Sequence, residues 1–421
     1  MIFNIKDYGA VGDGITLNTE AVQSAIDACF ADGGGRVVVP AGVYKSGTIW
    51  LKSHVELHLE SGAVLLASDH LDDYNEIDAF EQNYRVERSE GWVGKHLIIA
   101  LEETNVSITG HGCVDGNCYA FVEDAPTPYL YKWRYGVTSL KDEDAMRPGQ
   151  LICFIECRNV AVSDITVHNS PCWSTYFLGC EFVTVRGIKV QNPMNMLNSD
   201  GIDIDTCRYV TVSDCIIITG DDGITLRCCE QMVKNKDIHC EYITVTNCVI
   251  CSSVCGFRIG VGNGIIRHAR LSCLTIDKAS RMIEISTTFS TDCAFIEDIN
   301  ISDVSCTDTD RIVSIGARNG GLIRNVTVEN IRAEVTAQSS IWCGDGTLEN
   351  INLRNIEMYA SERYAEMTPK HYAERGSYLI GIRNGSRITL DNVNVYGSFS
   401  EEKGVCLCED CKSVIQKDCN F

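Results

Sequence analysis

Three carboxylates in two short runs, Asn198-Ser199-Asp200-Gly201 and Gly220-Asp221-Asp222-Gly223, are the residues of this chain best suited to chemistry. Acids brought to one point can divide the work of breaking a glycosidic bond. One carboxyl stays protonated and donates to the departing oxygen, while an ionised partner draws a proton from water. Each Asp taken alone reads equally well as turn chemistry, since Asp-Gly favours a tight turn. That reading fails for the set, because Asp221 and Asp222 place two like charges at one corner, a repulsion that a plain turn has no reason to keep.

Convergence of the acids depends on the elements that carry them. Segments rich in Val, Ile and Thr recur along the chain: NVSITGHG from residue 105, NVAVSDITVHN from 159, FVTVRGIKVQN from 182, YVTVSDCIIITG from 209 and YITVTNCVICSS from 242. ARLSCLTIDKAS from 269, IEDINISDVSCTD from 296, IRNVTVENIRAEV from 323, LENINLRNIEMYA from 348 and ITLDNVNVYGS from 388 continue the series. Most lie roughly 23 to 33 residues apart, inside the range of solenoids and arrays. Within each unit apolar and polar residues alternate, as in Val183-Thr184-Val185 and Ile243-Thr244-Val245, which is a strand period. A leucine-rich horseshoe needs a leucine consensus, and propeller blades need longer units of four strands; neither fits. The pattern predicts an all-β chain, a right-handed parallel β-helix of about ten coils, with Asn and Thr at its corners and Val or Ile inside.

The first residues differ. NTEAVQSAIDACFADGGG predicts a helix from Asn18 to Asp32 with Val22, Ala25, Ile26 and Cys29 on one face and glycines to stop it. This helix caps the first coil, whose strands are expected at Arg36–Pro40, Thr48–Leu51 and Val55–Leu59. Residues 1–60 then form the cap and first coil of a single domain over 1–421. Residues 71–95, 119–148 and 359–378 interrupt the repeat as long loops near the cleft. Trp92, Tyr129, Tyr131, Trp133 and Tyr135, with Lys132 and Arg134, suit a wall that stacks on sugar rings, or equally a loop packed on the coils.

Neighbouring coils of such a fold stand about 4.7–4.9 Å apart, so Asp200 and the Asp221/Asp222 pair, about one repeat later, fall side by side. An offset of one column gives a pair of carboxyls the roughly 6.5–9.5 Å separation that admits a water, the inverting arrangement. Crowded like charges also favour a protonated carboxyl in one member.

Composition narrows the partners. A formal charge of -21 repels a phosphate backbone, and no Lys/Arg-rich run offers a local exception, so nucleic acid is not expected. No stretch is apolar and long enough to span a bilayer, and no membrane association is expected. The 23 cysteines are odd in number and spread along the chain, unlike a secreted disulfide scaffold. Reduced thiols are the expected state; the tail, Cys406, Cys408, Cys411 and Cys419, has a CLCEDC cluster whose alternative reading is a zinc site, against which stands the lack of paired CxxC knuckles. With no basic and apolar leader in MIFNIKDYGAVGDG, a cytoplasmic protein is expected. Nothing in the sequence sets an oligomeric state.

NSDGIDID at 198–205 and GDDGITLR at 220–227 resemble the NTDG and GDDC motifs of glycoside hydrolase family 28, the polygalacturonase family. DYGAVGDG at 7–14, GGGRVVVPAGVYKSGTIWLKS at 33–53, NVSITGHGCVDGN at 105–117, RPGQLICFIECRNVAV at 147–162 and NSPCWSTYF at 169–177 are similar to bacterial members. The resemblance implies that Asp221 is the general acid and that Asp200 and Asp222 hold and deprotonate the attacking water. It also implies inverting hydrolysis of an oligosaccharide without metal or cofactor. Asn198 and, from the aromatic insertion, Trp133 are expected among the substrate contacts.

Two motifs depart from the family. Its GHG histidine falls on Cys255, and the basic positions of its RIK motif fall on Met282 and Glu284. Two readings follow. Either Arg227, Arg258 and Arg281 replace the lost cations and the substrate is still a galacturonide, or the −1 sugar is neutral or differently substituted and Glu284 accepts its hydroxyls. Arg258 also reads as a structural cation paired with an acid. A β-helix lyase or epimerase is the rival enzyme, although paired Asp without a nearby Lys suits hydrolysis better; a carbohydrate-binding or structural β-helix is the non-enzymatic alternative. Exo action on imported oligosaccharides is expected if the long insertions wall off one end of the cleft.

Overall fold

The alternation of apolar and polar residues is realised as strands whose apolar side chains face inward. A computed structural model describes residues 1–79, 91–127, 136–141, 146–289, 293–361, 380–397 and 406–420. The architecture is a right-handed parallel β-helix with one α-helix. The described residues divide into two compact units, residues 1–222 with 231–238 and residues 223–230 with 239–421.

In the first unit the helix Thr19–Ala31 buries Val22, Ala25, Ile26 and Cys29, the face the sequence predicts. Asn18 does not cap it with its side chain; its Oδ1 accepts from the Val11 N–H at 2.7 Å instead. Gly33 and Gly34 end the helix with φ of 93° and 105°. The strands that follow run Gly35–Val39, Gly42–Ser46, Ile49–Trp50, Val55–Leu59 and Ala63–Ala67. The strand expected at Thr48–Leu51 shrinks to two residues, and Gly42–Ser46 is a strand that its flanking glycine disguised.

Three strands make a coil, and each stacks in parallel on its counterpart. Val37 opposes Leu57, Leu57 opposes Ile108, and Ile108, Val162, Val185 and Val212 continue the column. All six are fully buried, each worth roughly 1.5–3 kcal/mol of apolar transfer. The insertions at 71–95 and 119–148, expected as loops, carry short strands. Trp92–Val93 pairs with Arg147–Pro148, and Val122–Thr127 pairs antiparallel with Val137–Leu140. Arg147 is almost fully buried. Its Nη1 donates to the carbonyl of Leu197 at 2.6 Å and to that of Pro171, and its Nη2 to Asn198 Oδ1 at 2.9 Å. One guanidinium thus pins the turn that leads to Asp200.

The second unit repeats the plan with longer strands. Ile265–Phe289 and Phe295–Ala317 run 25 and 23 residues because they bend around corners without losing their ladder. Val245, Leu271, Ile301, Val328, Leu353 and Leu390 form its inner column, again fully buried.

The bends are made by residues in the left-handed region, stacked coil upon coil. Cys273, Asp303, Asn330, Asn355 and Asn392 have φ between 50° and 57°, and their flanking registers place them in one column. Asn and Asp tolerate this conformation because their short polar chains bond locally. Here they also bond to one another: Asn330 Nδ2 donates to Asp303 Oδ1, Asn355 to Asn330 and Asn392 to Asn355, each at 3.0 Å. Asn at corners agrees with expectation, but Phe182, Tyr209 and Tyr242 stand in a second column of left-handed bends, in register with Asn159 and His268. Bulky residues there are strained, and stacking offsets the strain: the Phe182 and Tyr209 rings lie 5.0 Å apart at 18°, with the Arg158 guanidinium over Phe182 at 4.5 Å.

Two tests of these constraints follow. Asn330→Val should destabilise by about 1–2 kcal/mol through the left-handed penalty, and Asn330→Gly by less, since glycine bears no such penalty; urea midpoints of the two variants decide this, and equal losses would show that the corner carries no strain. Arg147→Met should cost about 2–4 kcal/mol by leaving buried carbonyls without donors, read as a lowered thermal midpoint together with lost turnover.

Candidate active site

Asp200 ends the turn before strand Ile202–Asp205, and Asp221 and Asp222 follow strand Ile216–Thr219. The Gly201 N–H donates to the Asp222 carbonyl at 2.9 Å, the coil-to-coil bond that sets the two aspartates beside each other. The Ser174 N–H donates to the Asp200 carbonyl at 2.9 Å and ties the same turn to the coil before it. One carboxylate oxygen from each of Asp200, Asp221 and Asp222 lies within 4.8 Å of the others. The sequence reading therefore locates the set correctly, but these nearest oxygens are closer than the roughly 6.5–9.5 Å predicted for an offset pair. The reason is direct opposition: Asp200 and Asp222 face each other across one coil spacing.

The turns around the acids are fastened by their own sequence. Asn198, with φ of 53°, presents its N–H to Asp221 Oδ2 at 3.2 Å, and the N–H of Asp222 donates to Asp221 Oδ1 at 3.1 Å. Both oxygens of Asp221 are thereby oriented by backbone donors. Ser199 is buried; its Oγ donates to the Met196 carbonyl at 3.1 Å and accepts from the Gly220 N–H at 3.0 Å. Gly220 admits no other residue, because a Cβ there would lie 2.4 Å from the carbonyl oxygens of Pro193 and Met196. Asp200 and Asp222 are each 3% exposed and Asp221 is more open. Asn198 links the acids to the frame, through its N–H to Asp221 and through its Oδ1, which accepts from Arg147. Three hard oxygen donors are also a set that a divalent cation accepts.

The second unit gathers a basic cluster. Cys255 opposes Arg281, Arg281 opposes Arg311, and Arg258 opposes Glu284 on successive coils. Arg281 Nε lies 3.4 Å from Glu284 Oε2. Arg258 Nη2 donates to Cys255 Sγ at 3.5 Å, Arg281 Nη1 approaches the same sulfur at 3.8 Å, and the Arg258 guanidinium covers the Phe289 ring at 5.1 Å. Cys255, at the position of the family histidine, is fully buried and serves as a base on which two guanidinium groups rest. Met282 is fully buried too, so this side chain faces the core. Glu284 is paired with Arg281.

Arg311 was not singled out by motif reading. The signal lies in the repeat: SRMIEIS at 280–286 and DRIVSIG at 310–316 occupy the same place in consecutive coils. Arg227, nearly buried, ends strand Ile224–Arg227 opposite Val261. Trp133, with Tyr129, Tyr131 and Tyr135, lies outside the described residues, as does most of the insertion at 359–378.

Comparison with known proteins supplies the family. The chain is 31% identical over 251 residues to an exo-poly-alpha-D-galacturonosidase of Dickeya chrysanthemi, a match that covers 53% of this chain and 41% of that protein. It is 25% identical over 423 residues to a probable polygalacturonase of Vitis vinifera, covering 98% of this chain and 77% of that one. In fold it resembles a hyperthermoactive exopolygalacturonase from Thermotoga maritima, with a TM-score of 0.68 at 23% identity over 86% of this chain and 88% of the other. The family model for glycosyl hydrolases family 28 matches residues 29–377, and with the three aspartates in place this chain belongs to that family.

Proposed function

We propose that the protein is an inverting, exo-acting hydrolase of galacturonide linkages in pectin-derived oligosaccharides. The observation that carries the hydrolase reading is the convergence of Asp200, Asp221 and Asp222 within 4.8 Å; inversion rests on the resemblance of the two Asp motifs to the family, not on this spacing. In this scheme the carboxyl of Asp221 gives its proton to the glycosidic oxygen as the bond to the anomeric carbon breaks. A water held by Asp200 and Asp222 attacks that carbon from the opposite face and passes its proton to them. The sugar is released with its anomeric configuration inverted.

The choice of a uronide rests on the basic cluster. Arg258, Arg281 and Arg311 outnumber Glu284 three to one in a chain of net charge -21, and guanidinium forks match carboxylates in geometry. The exo character rests on the relative from Dickeya chrysanthemi, named as an exo-poly-alpha-D-galacturonosidase. A reducing compartment is the proposed setting, since the described cysteines are free thiols.

Asp221→Asn should lower kcat about 10²–10⁴-fold, the usual worth of a general acid, while circular dichroism stays unchanged; undiminished turnover would remove Asp221 from the role. Proton NMR of the first product from digalacturonate and trigalacturonate should show the inverted anomer, and a retained one would overturn the two-carboxylate water scheme. Hydrolysis should persist in EDTA; a loss restored by magnesium or calcium but not by zinc would point to a cation on the three aspartates.

Arg281→Gln should raise KM for uronides by about 10-fold, or about 1.4 kcal/mol, with kcat little changed, whereas Glu284→Gln should lower it by freeing Arg281. Cleavage of neutral galactosides or rhamnosides in preference to uronides would favour a hydroxyl-accepting role for Glu284 instead.

A further inference from the structure

A second set of ligating side chains lies apart from the hydrolytic carboxylates and has no part in the scheme above. Cys228 follows the strand Ile224–Arg227, Glu230 opens the short turn Glu230–Met232, and His239 directly precedes the strand Cys240–Thr246. The Cys228 sulfur, a Glu230 carboxylate oxygen and a His239 ring nitrogen all lie within 4.8 Å of one another. His239 Nδ1 and Glu230 Oε1 are 2.9 Å apart. Cys228 is 1% exposed, whereas the side chains of His239 and Glu230 are 22% and 33% exposed. The sulfur thus forms the floor of the cluster, and the other two donors stand at its rim.

The backbone behind the thiol is built to stay clear of it. Gly264 donates its N–H to the Cys228 carbonyl at 2.9 Å. A Cβ on Gly264 would lie 2.5 Å from Cys228 Sγ and 2.6 Å from Glu230 Cγ. Gly262 has φ of 95°, and a Cβ there would lie 2.3 Å from the Cys228 carbonyl oxygen. Gly264 therefore leaves the sulfur and the carboxylate arm the space they occupy, and Gly262 leaves room for the Cys228 backbone.

We propose that Cys228, Glu230 and His239 form a zinc site, with water as the fourth ligand on the exposed side. A thiolate, an imidazole and a carboxylate are the donors that zinc takes in tetrahedral geometry, at about 2.3, 2.0–2.1 and 2.0–2.2 Å. The sulfur and nitrogen donors select against calcium and magnesium, which prefer all-oxygen shells. Ligand atoms around one such ion stand roughly 3.2–3.8 Å apart, so the Glu230–His239 hydrogen bond opens by a few tenths of an ångström as the ion enters. Cys228 releases its thiol proton on binding, and His239 ligates through Nδ1 with its remaining proton on Nε2. The ion ties the residue after Arg227 to the start of the next strand and closes the segment between them.

The test uses the full chain, purified under reducing conditions and stripped with chelator, and reads metal binding without reference to turnover. Cobalt(II) titration should give one equivalent bound, with a near-ultraviolet thiolate charge-transfer band and visible bands of tetrahedral intensity. Cys228→Ser should abolish the charge-transfer band. His239→Ala should weaken zinc binding at least tenfold, about the scale that even an outer partner of a ligand contributes, and should remove the rise in thermal midpoint that zinc, unlike magnesium, gives the wild-type chain. Zinc X-ray absorption on the wild-type protein, which needs no variant to fold, should show a single sulfur at about 2.3 Å. Failure to bind cobalt, a band that survives in Cys228→Ser, or a shell of three or four sulfurs would each overturn the site and move any metal to other cysteines of the chain.

Discussion

The parallel ladder between neighbouring coils is the interaction on which the rest of the molecule depends. Each backbone N–H and C=O of a strand is satisfied by the coil before or after it, at a spacing set by the hydrogen bond and not by side chains. That spacing makes columns. An inward column of Val, Leu and Ile becomes a core, an outward column becomes a surface, and a corner column must turn the chain by the same angle each time. Residues with φ near +55° at Asn330, Asn355 and Asn392 are the consequence of that last demand. Where the corner residue is aromatic, as at Phe182 and Tyr209, ring stacking along the column supplies what the asparagine ladder supplies elsewhere.

The same spacing makes chemistry available. Two carboxylates at equivalent points of adjacent coils are neighbours whatever their surroundings, and the bond from Gly201 to the Asp222 carbonyl makes Asp200 and Asp222 such neighbours. A third, Asp221, joins them by preceding Asp222 in the chain and by accepting the N–H of Asn198. Like charges so placed repel, and the fold absorbs the cost because the ladder, the buried Ser199 and the Arg147 guanidinium hold the turns from the opposite side.

The basic cluster shows how one frame accommodates substitution. A histidine position filled by Cys255 and a cation position filled by buried Met282 would each read as a lost function. The structure nonetheless gathers cations around these positions: Arg281 pairs with Glu284, and Arg311 stands opposite Arg281 on the next coil. The sulfur of Cys255 accepts from guanidinium N–H groups, a weak contact that still fixes where the arginines lie.

The strand period, the repeat length and the two Asp-Gly runs were legible in the sequence because each is a local pattern that the ladder converts directly into position. Hence the β-helix, the capping helix with its buried face, and the approach of three aspartates could be read from residue types and spacing. The strand Gly42–Ser46 escaped notice because its flanking glycine resembles a turn, and the short strands within the insertions escaped because their partners lie far along the chain. Direct opposition of Asp200 and Asp222, the partner of Glu284, the burial of Met282 and the meeting of Cys228, Glu230 and His239 were decided only by tertiary structure. A sequence records which residues recur, whereas which side chains meet depends on how each corner turns and on how the coils register.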